Sequence, residues 1–175
     1  MNNWVYKLTD HEMQVAVFVG KLRCVTAKDD ASTDDTGIKK TYEIREQQNI
    51  VACVGEIAVA RALNVCWTAM TWKEPDVAGY IEVRSVIEEW HNLVVRFYDK
   101  DNSPMVLVYV KDNVCTIKGW DFVSNVKEKG IHTDEKGVPY WRTQKGHQFR
   151  TIEELLTRHL AYQIKKDEQR RKGSL

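Results

Sequence analysis

The chain has 175 residues, of which 43% are hydrophobic and 29% charged, and its formal net charge is +1. One domain spanning 1–175 is expected, large enough to bury roughly 68–70% of its unfolded surface, and the absence of any apolar run near the roughly 20 residues of a spanning helix excludes a transmembrane protein. Near-neutrality excludes a general attraction to polyanions, so any phosphate must be met by a local patch.

The opening Met-Asn-Asn-Trp-Val-Tyr-Lys has no basic segment leading into an apolar stretch, so no secretory signal is expected and the expected location is cytoplasmic. Thr9, Asp10, His11 and Glu12 spell a capping box, and Val15, Phe18, Val19 and Leu22 recur at helical spacing, predicting a helix over 10–24. Residues 28–40 are rich in Ser, Thr, Asp and Gly, with Ile38 their one large apolar side chain, and predict a mobile loop. A longer helix is predicted over 42–63, its core stripe drawn by Ile44, Ile50, Val51, Val54, Ile57, Ala58 and Ala62. Glu56 interrupts it: its neighbours three and four positions away are Ala52, Cys53, Val59 and Ala60. An acid there is costly unless it is exposed, paired or bound to metal. Gly55 gives up about 1 kcal/mol of helix propensity relative to Ala, which predicts another backbone packed close by.

After Asn64 the pattern turns to β, with strands predicted over 65–72, 79–87, 93–98, 105–110 and 114–118. Asp99-Lys-Asp-Asn-Ser-Pro104 reads as a hairpin loop; it lacks the glycine and terminal glutamate of a calcium loop. Asp112-Asn113 is a second turn. A short helix is expected over 120–129, then a Gly-rich aromatic connector over 130–146, where Tyr140 and Trp141 either stack on bases or pin the connection to the core. Thr151-Ile-Glu-Glu154 opens a final helix with Ile152, Leu155, Leu156, His159 and Leu160 facing inward and a charged, solvated end over 165–175. Cys24, Cys53, Cys66 and Cys115 form no Cys-x-x-Cys pair and are expected reduced and buried. His11, His91, His132, His147 and His159 lack zinc-ligand spacing and read as surface or edge residues.

Residues 75–85, Pro-Asp-Val-Ala-Gly-Tyr-Ile-Glu-Val-Arg-Ser, carry the densest chemistry. Strand alternation puts Tyr80, Glu82 and Arg84 on one face, with Ile81, Val83 and Ser85 on the other. Asp76 sits in a Pro-led, Gly-terminated turn that can fold it back toward Glu82. Two carboxylates pushed together repel unless a positive group lies between them, and oxygen-only ligands favour Mg²⁺ or Mn²⁺ over zinc. The same residues equally describe a solvated sheet face with a cross-strand ion pair.

P-loop, Gly-x-Gly-x-x-Gly and Gly-x-Ser-x-Gly motifs are absent. What remains is a helix bearing Glu56, a strand, Pro75-Asp76, and then Glu82-Val83-Arg84. In order and spacing this resembles the PD-(D/E)xK nuclease superfamily over about residues 42–118. Segments 76–86 and 93–120, through Tyr98-Asp-Lys-Asp and Ile117-Lys-Gly-Trp, are also similar to small phage-encoded proteins of that superfamily.

The resemblance implies an α/β (α+β) fold of restriction-endonuclease type, a central mixed, curved β-sheet flanked by helices. It makes Glu56, Asp76 and Glu82 metal-binding acids, with the Val83 carbonyl as an additional ligand, Mg²⁺ or Mn²⁺ as cofactor, and Asp76, Glu82 and Arg84 as catalytic residues. Arg84 departs from the usual Lys. A guanidinium keeps its proton, so it serves as phosphate clamp or charge stabiliser rather than general base. The implied function is a phage-encoded, metal-dependent nuclease hydrolysing DNA phosphodiester bonds. The alternative is a catalytically impaired binding module that grips nucleic acid or inhibits a host defence protein. A purely structural role, with 28–40 as the contact, is a third reading.

Overall fold

A computed structural model describes residues 4–26, 41–69, 74–135 and 138–173. The loop predicted over 28–40 lies outside them. The chain begins with β1 (Trp4–Lys7), a strand the sequence reading missed. Helices α1 (Asp10–Thr26) and α2 (Tyr42–Ala62) follow. The first capping box forms as expected: Thr9 N–H donates to Glu12 Oε2 at 2.7 Å, and Glu12 N–H donates back to Thr9 Oγ1 at 3.2 Å. For α2, Thr41 Oγ1 caps by accepting from the Ile44 amide.

The two helices touch closely where Gly20 faces Ile50, because a Cβ on Gly20 would lie 2.7 Å from the Ile50 backbone. Small residues therefore make the contact face of α1, through Ala16, Val19, Gly20 and Cys24. Phe18, expected in the core, is turned out and 69% exposed. In α2, every residue from Cys53 to Ala60 is buried, so its second half is enclosed on all sides rather than on one stripe. Ile44, in the uncovered first turn, is exposed.

The remaining elements are β2 (Glu82–Val86), β3 (Val94–Arg96), β4 (Pro104–Lys111), β5 (Val114–Phe122), α3 (Val123–Lys129), β6 (Ile131–Glu135), β7 (Val138–Arg142) and α4 (Ile152–Gly173). The protein is mixed α/β, with four helices among the described residues. Its main sheet is mixed, in the order β1-β5-β4-β2, with β2 parallel to β4 and the other pairs antiparallel. A second, antiparallel sheet has the order β3-β7-β6. Buried from Pro104 to Val108, β4 is one of the two interior strands. The main core joins α2 to Val83, Val106, Val108, Ile117 and Trp120, and a smaller one joins Leu93, Val95, Met105, Leu107, Val123 and Val126.

Several expectations are corrected. Residues 65–69 form no strand, and 70–72 lie outside the described residues. Residues 120–122 extend β5 by pairing with β4, so the helix starts at Val123. The connector over 130–146 contains the β6–β7 hairpin, where His132 pairs with Trp141 and Thr133 with Tyr140. Leu160 is 57% exposed, whereas His159 is buried, stacked on Tyr80 and sharing a 3.1 Å hydrogen bond with its hydroxyl. Cys66 is exposed on the segment leaving α2, while the other three cysteines are buried and all four are free. Among the described residues no helix is long and apolar enough to cross a membrane.

Gly55 is explained by a side chain rather than a backbone. A Cβ at this position would fall on Ser85 Oγ, and would also lie 3.1 Å from Ser85 Cβ and 3.5 Å from Val108 Cβ. The missing methyl lets α2 settle on β2 beside the candidate site. Gly55→Ala is expected to lower stability by about 1–3 kcal/mol through overpacking, and adding Ser85→Ala is expected to recover most of that loss in urea unfolding.

Candidate functional site

The turn after Pro75 builds the site. Val77 and Ile81 exchange two N–H···O bonds of 3.0 Å, and Tyr80 N–H also donates to Val77 C=O. Closing so short a loop forces Ala78 to φ 57° and Gly79 to φ 77°. Glycine bears this freely; Ala78 costs about 1 kcal/mol. The result lays Asp76 alongside the start of β2, where the Val83 amide donates to Asp76 Oδ2 at 2.8 Å. Because β2 is the edge of its sheet, that amide faces away from β4. A strand residue's N–H and C=O point to the same edge, so the Val83 carbonyl shares this free edge with Asp76.

Glu82, the first residue of β2, lies close enough to Asp76 to feel its charge. Burial pushes the Glu82 carboxyl up to about 7, helped by the charges of Asp76 and Asp99 and opposed by Arg84. Burial also raises Asp76, against the Val83 N–H bond and the charges of Arg84 and Arg23. Burial thus disfavours the charged form of both acids, and the Asp76 charge adds to this at Glu82. Arg84 approaches Glu82 only to 4.0 Å, while its Nη2 donates to both carboxylate oxygens of Asp99 at 3.0 and 3.1 Å. Asp99 lies just after β3 and also accepts the Arg96 amide at 2.8 Å.

Glu56 lies on α2, and its charge raises no less a demand for partners, being 2% exposed. Arg23 of α1 grips it with two bonds of 2.7 and 2.8 Å, and the Trp67 indole N–H donates a third at 2.8 Å. Burial, with the Asp76 charge behind it, pushes the Glu56 carboxyl upward. The donors on its two oxygens oppose that rise by favouring the carboxylate, since none of them can accept a proton. The same guanidinium donates to Ala69 C=O at 2.9 and 3.2 Å, tying the segment that leads toward Asp76 onto both helices.

Asp76, Glu82 and Arg84 are therefore neighbours, with the Val83 backbone between them, and Asp76 stands close enough for its charge to act on Glu56. Among the described residues, no three of His, Cys, Asp and Glu converge closely enough to hold one ion. Asp76, Glu82 and the Val83 carbonyl suit Mg²⁺, which binds through one or two carboxylates and keeps several waters. Glu56 does not suit it as placed, because Arg23 and Trp67 occupy its oxygens. Two participants escaped the sequence reading. Asp99 lay within the noted Tyr98-Asp-Lys-Asp segment but read as loop, and Arg23 sits on a helix with no local sign of a distant acid. A scan against protein-family models, a search of curated proteins and a search of solved structures each found nothing that matches the chain.

Proposed function

We propose that the protein is a cytoplasmic, metal-dependent nuclease of restriction-endonuclease-like architecture that hydrolyses DNA phosphodiester bonds. One observation carries this reading: Asp76 and Glu82 lie close together at a free strand edge, and the Arg84 guanidinium, 4.0 Å from Glu82, gives its hydrogen bonds to Asp99. Arg23 is hydrogen-bonded to Glu56 and Arg84 to Asp99, so the charges of the two acids are only partly met and Glu82 is pushed up to about 7. A divalent cation between them would neutralise both acids.

Asp76, Glu82 and the Val83 carbonyl would hold Mg²⁺ or Mn²⁺, which when bound lowers the pKa of water and stabilises the leaving oxygen. The protein supplies the rest. The Val83 amide fixes Asp76, and the Arg23 clasp on Ala69 steadies the approach to it. Asp99 orients Arg84 through one nitrogen, leaving its other donors to grip a phosphate and offset developing charge.

The Arg23 bonds on Glu56 favour a second reading, a catalytically impaired module that grips nucleic acid or a host defence protein, because they leave two carboxylates where the resemblance implies three. Linear, circular and single-stranded DNA incubated with Mg²⁺, Mn²⁺ or EDTA separates the two. The expected result is cation-dependent cleavage that falls at least about 100-fold in Asp76→Asn, the scale of losing one charge-stabilising group. Undiminished cleavage in that variant would remove the site. No cleavage, together with tight cation-independent binding, would establish the module.

A further inference from the structure

The turn that holds Arg84 presents two aromatic rings to solvent. Phe97 is 54% and Tyr98 50% exposed, with their rings edge to face at 5.1 Å. Rings turned into water return little burial energy, so their placement needs another reason. The backbone beneath them is unusually well secured. Asp99 N–H donates to Arg96 C=O at 3.1 Å, and Lys127 Nζ donates to Phe97 C=O at 3.2 Å, Asp99 C=O at 2.9 Å and Asp101 Oδ1 at 2.8 Å. The Asp99 carboxylate joins the same turn to Arg84 on β2. Phe97 and Tyr98 are two residues and one residue from Asp99, so their Cα atoms lie within about 8 Å of its own.

We propose that Phe97 and Tyr98 are a stacking platform for the unpaired bases of a single-stranded nucleic acid, set beside the Asp76–Glu82 pair. The inference rests on the nucleic-acid reading above and narrows its substrate to single strands or frayed ends. Base faces are available only where a strand is unpaired; a duplex shows its partners edges and phosphates. A cation accompanies the rings as such a strand requires: Arg96 lies over the Tyr98 ring at 5.8 Å and donates to its hydroxyl at 2.7 Å, while Lys127, paired with Asp101, supports the turn.

The test is fluorescence anisotropy in EDTA with the full chain and labelled oligonucleotides: single-stranded DNA, single-stranded RNA, a blunt duplex, and single-stranded DNA carrying abasic positions. Single strands are expected to bind more tightly than duplex, and abasic substitution to cost at least about five-fold, the lower end for one stacked base. Phe97→Ala and Tyr98→Ala should each lose a comparable factor on the normal strand and almost nothing more on the abasic one, while Phe97→Trp retains binding. The DNA and RNA arms identify the polymer. Equal losses on normal and abasic strands, preference for duplex, or no binding would overturn the platform. Metal is absent throughout, so failure of the hydrolytic reading would register separately, as lack of cleavage with base-dependent binding intact.

Discussion

Arg23→Ala is expected to destabilise the protein by about 3–5 kcal/mol, because it leaves the Glu56 carboxylate buried without its partner. The guanidinium side chain is 11% exposed and that of Glu56 is 3%, so water cannot take over the lost bonds. The variant also deprives Ala69 C=O of both its Arg23 donors and removes a cation from beside the Trp67 ring. The Arg23→Met, Glu56→Met double variant should be far less damaged than either single change, since it removes both charges together. It still orphans the Trp67 indole N–H and the Ala69 carbonyl, each a loss of about 1–3 kcal/mol if water stays out. Denaturant unfolding of the four proteins measures the coupling. A loss below about 1 kcal/mol in Arg23→Ala would show that Glu56 is better solvated than its burial implies. Added Mg²⁺ sharpens the result: if Glu56 is a ligand once released, the ion should restabilise Arg23→Ala more than the wild type.

What could be read along the chain was what local geometry determines. Asp76 folding back toward Glu82 follows from Pro75, Gly79 and two-residue alternation, and the Val77–Ile81 closure realises it. Glu56 was legible as an acid needing a partner, but not which partner: Arg23 is 33 residues away on another helix. The same limit hid Asp99, whose meaning depends on β2 and the end of β3 being brought together. Sheet order was equally silent, for β2 pairs parallel with β4 rather than with the next strand along the chain. The β6–β7 hairpin was obscured because Pro139 and the flanking glycines look like connector residues, although paired backbone there satisfies the donors. Phe18 and Leu160 were misplaced for a different reason. Helical periodicity identifies an apolar face but cannot say whether anything covers it.

Glu82→Gln is expected to stabilise the protein above pH 7 and to abolish cleavage. The Glu82 carboxyl is pushed from 4.5 to about 7 in the folded state by burial and by Asp76, so between these values the native state binds a proton that the unfolded state has released. Stability therefore falls as pH rises through this window, and the whole loss is present above about pH 7. With the side chain 27% exposed, solvent screening reduces the effect to about 1–3 kcal/mol. Glutamine cannot ionise and keeps a donor for Asp76, so the variant should match wild type near pH 4 and exceed its melting temperature at pH 8. A variant less stable than wild type at pH 8 would mean that the carboxylate is not strained there. A divalent cation should raise the wild-type melting temperature more at pH 8 than at pH 6, because at the lower pH it must displace the Glu82 proton, and should do little for Glu82→Gln. The burial and charge repulsion that weaken the fold above pH 7 would then, on the nuclease reading, also be what draws a cation to the site, and removing one would remove the other.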